Sequence, residues 1–395
     1  ASVQSPDCDT TRWHLSDITI SRVCEDRQIS LTPGIYRDGV WVAATNCASE
    51  DDGFECQMGD VGSLKVTSSG NRLTSHFSVT KAFVLGGHGF RGQLVQPGAM
   101  AWLSNGFQSW SQSGIIAIPG GVTESERDHA LTVRGDFEVL RTGYELSWWH
   151  SFVTSPGGTV VAGTTSARRF KSWVSVTGAQ SPYELIVSSG GAGESLAVKN
   201  GQSVEGEEWF IAMGKDREAL LREYGQALPT RKESSMKPEA GWNSWYQLWN
   251  TVDAEAVRAN AALAKTALAD RIPANSPLLR IVIDDGWQKA WGEWLPNDKF
   301  GGDMKSLAAE LKADGFETGI WLAPLLVVHD HPLVGEHPKW FLPTAEFVHL
   351  EQGTMRILDV THPEAANYLK ESIQRIVAWG FDLLKIDFLF AGTFE

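Results

Sequence analysis

Four short runs, 240–243, 278–284, 317–323 and 382–388, are separated by stretches with helical composition, and this alternation leaves few folds open. A continuous apolar strand is buried on both faces, so a parallel sheet covered by helices is implied. The intervening helices are predicted over 253–268, with Asp253 as N-cap, over 303–314, ended by Gly315, and from the capping box Thr361-His362-Pro363-Glu364 to Trp379. A hairpin is expected within 340–358, turning at Gln352-Gly353. A (β/α)8 barrel and a doubly wound sheet both fit. No G-x-G-x-x-G follows the first strand, and polar residues gather at the strand ends, where barrel active sites lie. The barrel is the preferred reading, and only its strands 1 to 4 are accounted for.

The residues before 229 obey a different pattern. Short alternating or aromatic runs recur at 13–20, 81–85, 144–152, 183–187 and 208–213, with turn signals at Asp38-Gly39, Pro156-Gly157-Gly158 and Asn200-Gly201. Such spacing predicts a β-sandwich over 1–228 that ends in a helix at 216–227. Residues 229–238, bracketed by prolines, are expected to be a linker, and 239–395 the first half of a barrel.

Lys and Arg total 34 against 48 Asp and Glu, a formal charge of −14, which disfavours nucleic acid and anionic membrane as partners. No apolar run reaches the roughly 18 residues of a membrane helix. There are 17 Trp and 6 Tyr, a usage suited to sugar clefts, since an indole packs on the C–H face of a pyranose. Cys8, Cys24, Cys47 and Cys56 are confined to the first 56 residues without a C-x-x-C pair. Two local disulfides would imply a secreted or periplasmic protein, four thiols a cytoplasmic one, and both stay open. A start at Ala1 fits a removed signal peptide and an arbitrary cut equally well.

Lys385 and Asp387, two apart on the fourth strand, are expected to share one face. Asp284-Asp285-Gly286-Trp287 closes the second strand, with both carboxylates within reach of the mouth. Trp242 closes the first strand and Trp321 lies on the third. His329-Asp330-His331 has metal-motif spacing, but a solvated loop is the default there. Three functions fit these residues: a glycosidase using Asp387, a Schiff-base enzyme using Lys385, and a non-catalytic sugar-binding protein using the tryptophans.

The run Leu384-Lys385-Ile386-Asp387-Phe388 resembles the nucleophile strand of bacterial α-galactosidases of glycoside hydrolase family 36. Ile283-Asp284-Asp285-Gly286-Trp287, Gly241-Trp242-Asn243-Ser244-Trp245-Tyr246 and Gly319-Ile320-Trp321-Leu322-Ala323-Pro324 resemble the ends of its other early strands, in the same order. More weakly, Asn105-Gly106-Phe107-Gln108-Ser109-Trp110 resembles a sandwich-domain segment whose aromatic, here Trp110, reaches the site. The resemblance implies a retaining hydrolase with Asp387 as nucleophile. Asp284, Asp285 and Lys385 would bond to sugar hydroxyls, and Trp242, Trp321 and Trp110 would line the pocket. It implies no metal or cofactor and a small α-galactoside of the melibiose or raffinose type as substrate. Self-association into a homo-oligomer is left open. Raffinose-family galactosyltransferases and α-N-acetylgalactosaminidases share these motifs. In the family the acid/base lies on the sixth strand, so it is expected beyond Glu395. The 395-residue chain is then expected to be a fragment, inactive alone and prone to associate through open sheet edges.

Overall fold

The computed structural model describes residues 13–98, 100–107, 113–118, 146–229, 240–268, 279–349 and 352–393. Contacts divide the chain into two compact units, Ala1–Glu233 and Ser234–Glu395.

The first unit holds two antiparallel sheets. One centres on Arg27–Arg37 and Phe83–Val95. Thr19–Cys24 and His14–Ser16 flank it on one side; Tyr183–Gly190, Ser172–Thr177 and Ser147–Trp148 continue it on the other. The second runs Gly114–Ile118, Met100–Ser104, His150–Ser155, Gly158–Thr164, Trp209–Gly214, Arg72–Val79, Gly62–Ser69, Gly53–Gln57, Asn46–Glu50. Arg72–Val79 buries alternate residues, as a strand with one face on a core must. Leu64, Val66, Leu73 and Phe77 of the second sheet join Ile29, Leu31, Leu94, Leu185 and Val187 of the first in one buried cluster. Each such side chain contributes about 1.5–3 kcal/mol of burial, and two inner faces sharing a core make a sandwich.

Asp38-Gly39 forms the expected hairpin turn: both have positive φ, and Arg37 pairs with Val40. Pro33 sits inside the long strand Arg27–Arg37. The partner on one side changes there from Thr19–Cys24 to Val40–Ala43, so the missing N–H leaves no ladder bond unmade. The run expected at 13–20 is broken at Asp17, whose φ is 56°. The helix Arg217–Ala227 is capped by Asp216, whose carboxylate accepts the Ala219 N–H at 3.0 Å. Cys47 and Cys56 form a disulfide across the Asn46–Glu50/Gly53–Gln57 pair, and Cys24 is also disulfide-bonded; Cys8 lies outside the described residues.

Four strands of the second unit, β1 (Ala240–Asn243), β2 (Leu279–Ile283), β3 (Glu317–Leu322) and β4 (Leu383–Ile386), form a parallel sheet in the order β1-β2-β3-β4. A doubly wound sheet reverses its order at a switch point; none occurs among these four. The helices α1 (Ala254–Leu268), α2 (Met304–Ala313) and α3 (Pro363–Ala378) follow β1, β2 and β3. Val257, Ala261 and Ala264 of α1, Leu307, Ala308 and Leu311 of α2 and Ile376 of α3 pack with Ile281, Ile283, Ile320 and Leu322 of the sheet. Asp253 and Asp303 cap α1 and α2 through bonds from Ala256 and Ser306 N–H. The expected capping box on α3 does not form. Asp359 takes both the hydroxyl and the N–H of Thr361, and Glu364 instead accepts from the Trp340 indole. The hairpin expected near Gln352-Gly353 is present as Phe341–His349 with Gly353–Leu358, and Leu326–Val328 adds a third strand.

In the first unit Glu207 is buried, and its carboxylate gathers the N–H groups of Arg168, Arg169 and Phe170 and the Ser166 hydroxyl. Burial pushes its pKa up, but these four donors overcome it, and the net shift is downward from 4.5. A lowered folded-state pKa adds stability above the ordinary value, and that stability is lost as pH falls through the folded one. Glu207→Gln should therefore cost about 1–3 kcal/mol at neutral pH. In chemical denaturation the gap from the parent chain should close as pH drops below 4.5. A gap independent of pH would reject this account.

Candidate active site

Parallel strands in sequential order bring their C-terminal ends to one edge, so β1 to β4 deliver Asn243, Asp284, Trp321 and Lys385 to neighbouring positions. Trp321 and Lys385 are register partners on β3 and β4. Asp284 is 1% exposed, and a buried carboxylate needs donors on both oxygens. Lys385 Nζ donates to its Oδ2 at 2.6 Å and Asn243 Nδ2 at 2.8 Å; Asp285 N–H donates to Oδ1 at 2.9 Å. Its own N–H is donated to Ser244 Oγ at 2.9 Å. Three strands therefore converge on one carboxylate.

Lys385 thus engages Asp284. Asp387 is held separately, just past the end of β4. Its N–H bonds to Leu322 O at 2.9 Å, the Trp321 indole N–H reaches Oδ2 at 3.1 Å, and Phe388 N–H reaches Oδ1 at 2.9 Å. Phe388 makes that bond from a φ of 54°, a sparsely populated conformation for a bulky residue.

Asp285 does not share the position of Asp284. It turns inward, and the Gln288 amide and the Trp291 indole N–H, at 3.0 Å, both donate to its Oδ1. Its buried Oδ2 has no hydrogen-bond partner among the described residues. Burial pushes its pKa up, with the Asp284 charge adding to the shift; the Gln288 and Trp291 bonds and the nearby His349 oppose it.

The two tryptophans differ. Trp242 is partly exposed, and its indole N–H lies 3.3 Å from Gln247 Oε1. Trp321 is 2% exposed, 5.0 Å centre to centre from Trp291 and 6.1 Å from Trp294, while its carbonyl accepts from the Trp287 indole at 2.8 Å. Trp110 lies outside the described residues. In the His329-Asp330-His331 loop, His329 pairs with Asp330 at 2.8 Å, and His331 accepts the Leu333 N–H to start the short helix Pro332–Glu336. Among the described residues no three metal-ligating side chains converge. Asn243, Gln288, Trp291 and Phe388 hold the carboxylates without having been singled out in the sequence. Asn243 stood inside a quoted motif, but its neighbours gave no sign of which way its amide points.

This arrangement can present one ionisable carboxylate, Asp387, to a neutral substrate, beside a second pinned by a cation. Residues 248–388 match the Melibiase family model. Within the matched residues lie Asp284, Asp285, Trp321, Lys385 and Asp387. Among curated relatives, alpha-galactosidase AgaA of Geobacillus stearothermophilus is 26% identical over 106 residues, covering 25% of this chain and 14% of its own. An alpha-galactosidase of Escherichia coli is 30% identical over 98 residues, covering 23% and 14%. Among solved structures, TtGalA, an alpha-galactosidase of Thermus thermophilus in complex with p-nitrophenyl alpha-D-galactopyranoside, superposes with TM-score 0.57 at 25% identity, covering 81% of this chain and 62% of its own. The GH36 alpha-galactosidase AgaA of Geobacillus stearothermophilus superposes with TM-score 0.59 at 17% identity, covering 96% and 54%. The chain spans less than two thirds of the length of each of these relatives.

If Lys385 neutralises the buried Asp284, the pair is coupled. Lys385→Met should destabilise the chain by about 1–3 kcal/mol, because one donor to a buried charge is lost. Lys385→Met should cost much less in an Asp284→Asn background. Additive losses in a double-mutant denaturation cycle would show that the pair carries no coupling.

Proposed function

We propose that this chain carries the nucleophile side of a retaining α-galactosidase. β1 to β4 are read as the first four strands of a (β/α)8 barrel, which their sequential parallel order supports. The observation that carries the functional reading is Asp387 at the end of β4, with one hydrogen-bond donor on each oxygen, beside the Lys385–Asp284 pair. The Melibiase match and the galactosidase relatives support the same direction.

On this reading Asp387 attacks the anomeric carbon as the glycosidic bond breaks. The leaving oxygen takes a proton from a carboxylic acid, and a glycosyl ester forms on Asp387. Water, deprotonated by the same acid/base, then hydrolyses the ester and restores the carboxylate. That acid/base would come from the sixth barrel strand, and residues 240–393 supply the nucleophile half. Asp284, Asp285 and Lys385 would bond to the galactose hydroxyls. Asp285 Oδ2, which has no hydrogen-bond partner among the described residues, is an acceptor that a hydroxyl would complete. Trp242, the partly exposed indole at the end of β1, is suited to pack on the ring. A Schiff-base role for Lys385 fits less well, since its amine is engaged by Asp284. The substrate would be a small α-galactoside, hydrolysed or used for galactosyl transfer.

In the complete polypeptide, Asp387→Ala should abolish turnover of an aryl α-galactoside, and azide should restore part of it by attacking the vacated face. Chelator should leave the parent activity unchanged. Near-normal turnover by the variant rejects the nucleophile. Activity lost in chelator and recovered with a divalent ion rejects the sugar-binding role of the aspartates.

A further inference from the structure

We propose that Trp321 is a positioning residue for Asp387, acting through its indole N–H rather than as a wall for the sugar. This rests on the reading of Asp387 as nucleophile. An aromatic wall must offer a ring face to the ligand, and Trp321 is 2% exposed. Its ring is packed against Trp291 at 5.0 Å and Trp294 at 6.1 Å, and its N–H points at Asp387 Oδ2 at 3.1 Å. The backbone fixes the same pair from the other side. Asp387 N–H bonds to Leu322 O at 2.9 Å, one residue beyond Trp321, and the Trp287 indole holds the Trp321 carbonyl at 2.8 Å.

The chemistry of the donors sharpens the assignment. An indole N–H donates and accepts nothing, and so does the Phe388 N–H on Oδ1. Each oxygen of Asp387 therefore faces a group that cannot receive a proton from it. Two donors from different strand segments also fix the plane of the carboxylate, hence the direction of its remaining lone pairs. Attack on an anomeric carbon depends on that direction, and misplacement by about 1 Å can cost on the order of 10²-fold in rate.

Trp321→Phe keeps an aromatic ring against Trp291 and removes the N–H. In the complete polypeptide, kcat for an aryl α-galactoside should fall about 10–100-fold with KM nearly unchanged. A raised KM with kcat preserved would mark a sugar-facing wall and overturn the proposal. A second measurement needs no turnover. In the indole N–H spectrum of the complete polypeptide, the resonance lost in Trp321→Phe is that of Trp321. It should move more than any other tryptophan resonance when Asp387 is changed to Ala. A Trp321 resonance unmoved by Asp387→Ala overturns the proposal. If the complete polypeptide turns over no galactoside while the resonance does move, the hydrogen bond stands and the reading of Asp387 as nucleophile falls.

Discussion

The contact between Lys385 Nζ and Asp284 Oδ2, at 2.6 Å, is the constraint around which the second unit is arranged. A carboxylate with 1% exposure is costly unless charge and donors reach it together. Those partners come from β1, β2 and β4, so satisfying one buried charge also aligns the strand ends. Asp387, two residues after Lys385, inherits its place from that alignment. The sheet provides a scaffold, and the ion pair registers its C-terminal edge.

The first unit uses the same physics for another end. Glu207 collects three consecutive backbone N–H groups and a hydroxyl, and so stands in for regular structure over 166–170. Both carboxylates are buried, and each has donors on both of its oxygens. One neutralises its charge with an ammonium, the other spreads it over neutral donors. Only the first leaves a cation beside a strand end, where a polar ligand could meet it.

Much of this architecture was legible in the sequence because it rests on local signals. The four parallel strands follow from continuous apolar runs, and α1 and α2 from Asp253 and Asp303 at their starts. The Asp38-Gly39 turn follows from its need for positive φ. What was not legible depends on partners far along the chain. The capping box at Thr361 lost to Asp359 and Trp340, which only folding brings within reach. Asp284 and Asp285 look interchangeable as neighbours, yet one meets Lys385, 101 residues away, and the other turns to Gln288 and Trp291. Trp321 reads as a cleft aromatic until its indole is seen to end on Asp387. Leu326–Val328 was too short to separate from the loop around it.

The tryptophans behind that indole have a mechanical consequence. Ring centres lie 6.3 Å apart for Trp287 and Trp294, 6.1 Å for Trp294 and Trp321 and 5.0 Å for Trp321 and Trp291, and all four rings are nearly sealed from solvent. A close-packed interior compresses little and passes displacement along instead of absorbing it. The carboxylate of Asp387 therefore rests against a stiff block, and its aim is a property of that block's shape. Trimming Trp294, which touches neither Asp387 nor Lys385 in any hydrogen bond described above, would leave every charge in place. It would still soften the backing, so that the Asp387 carboxylate loses its fixed direction before it loses its hydrogen bonds.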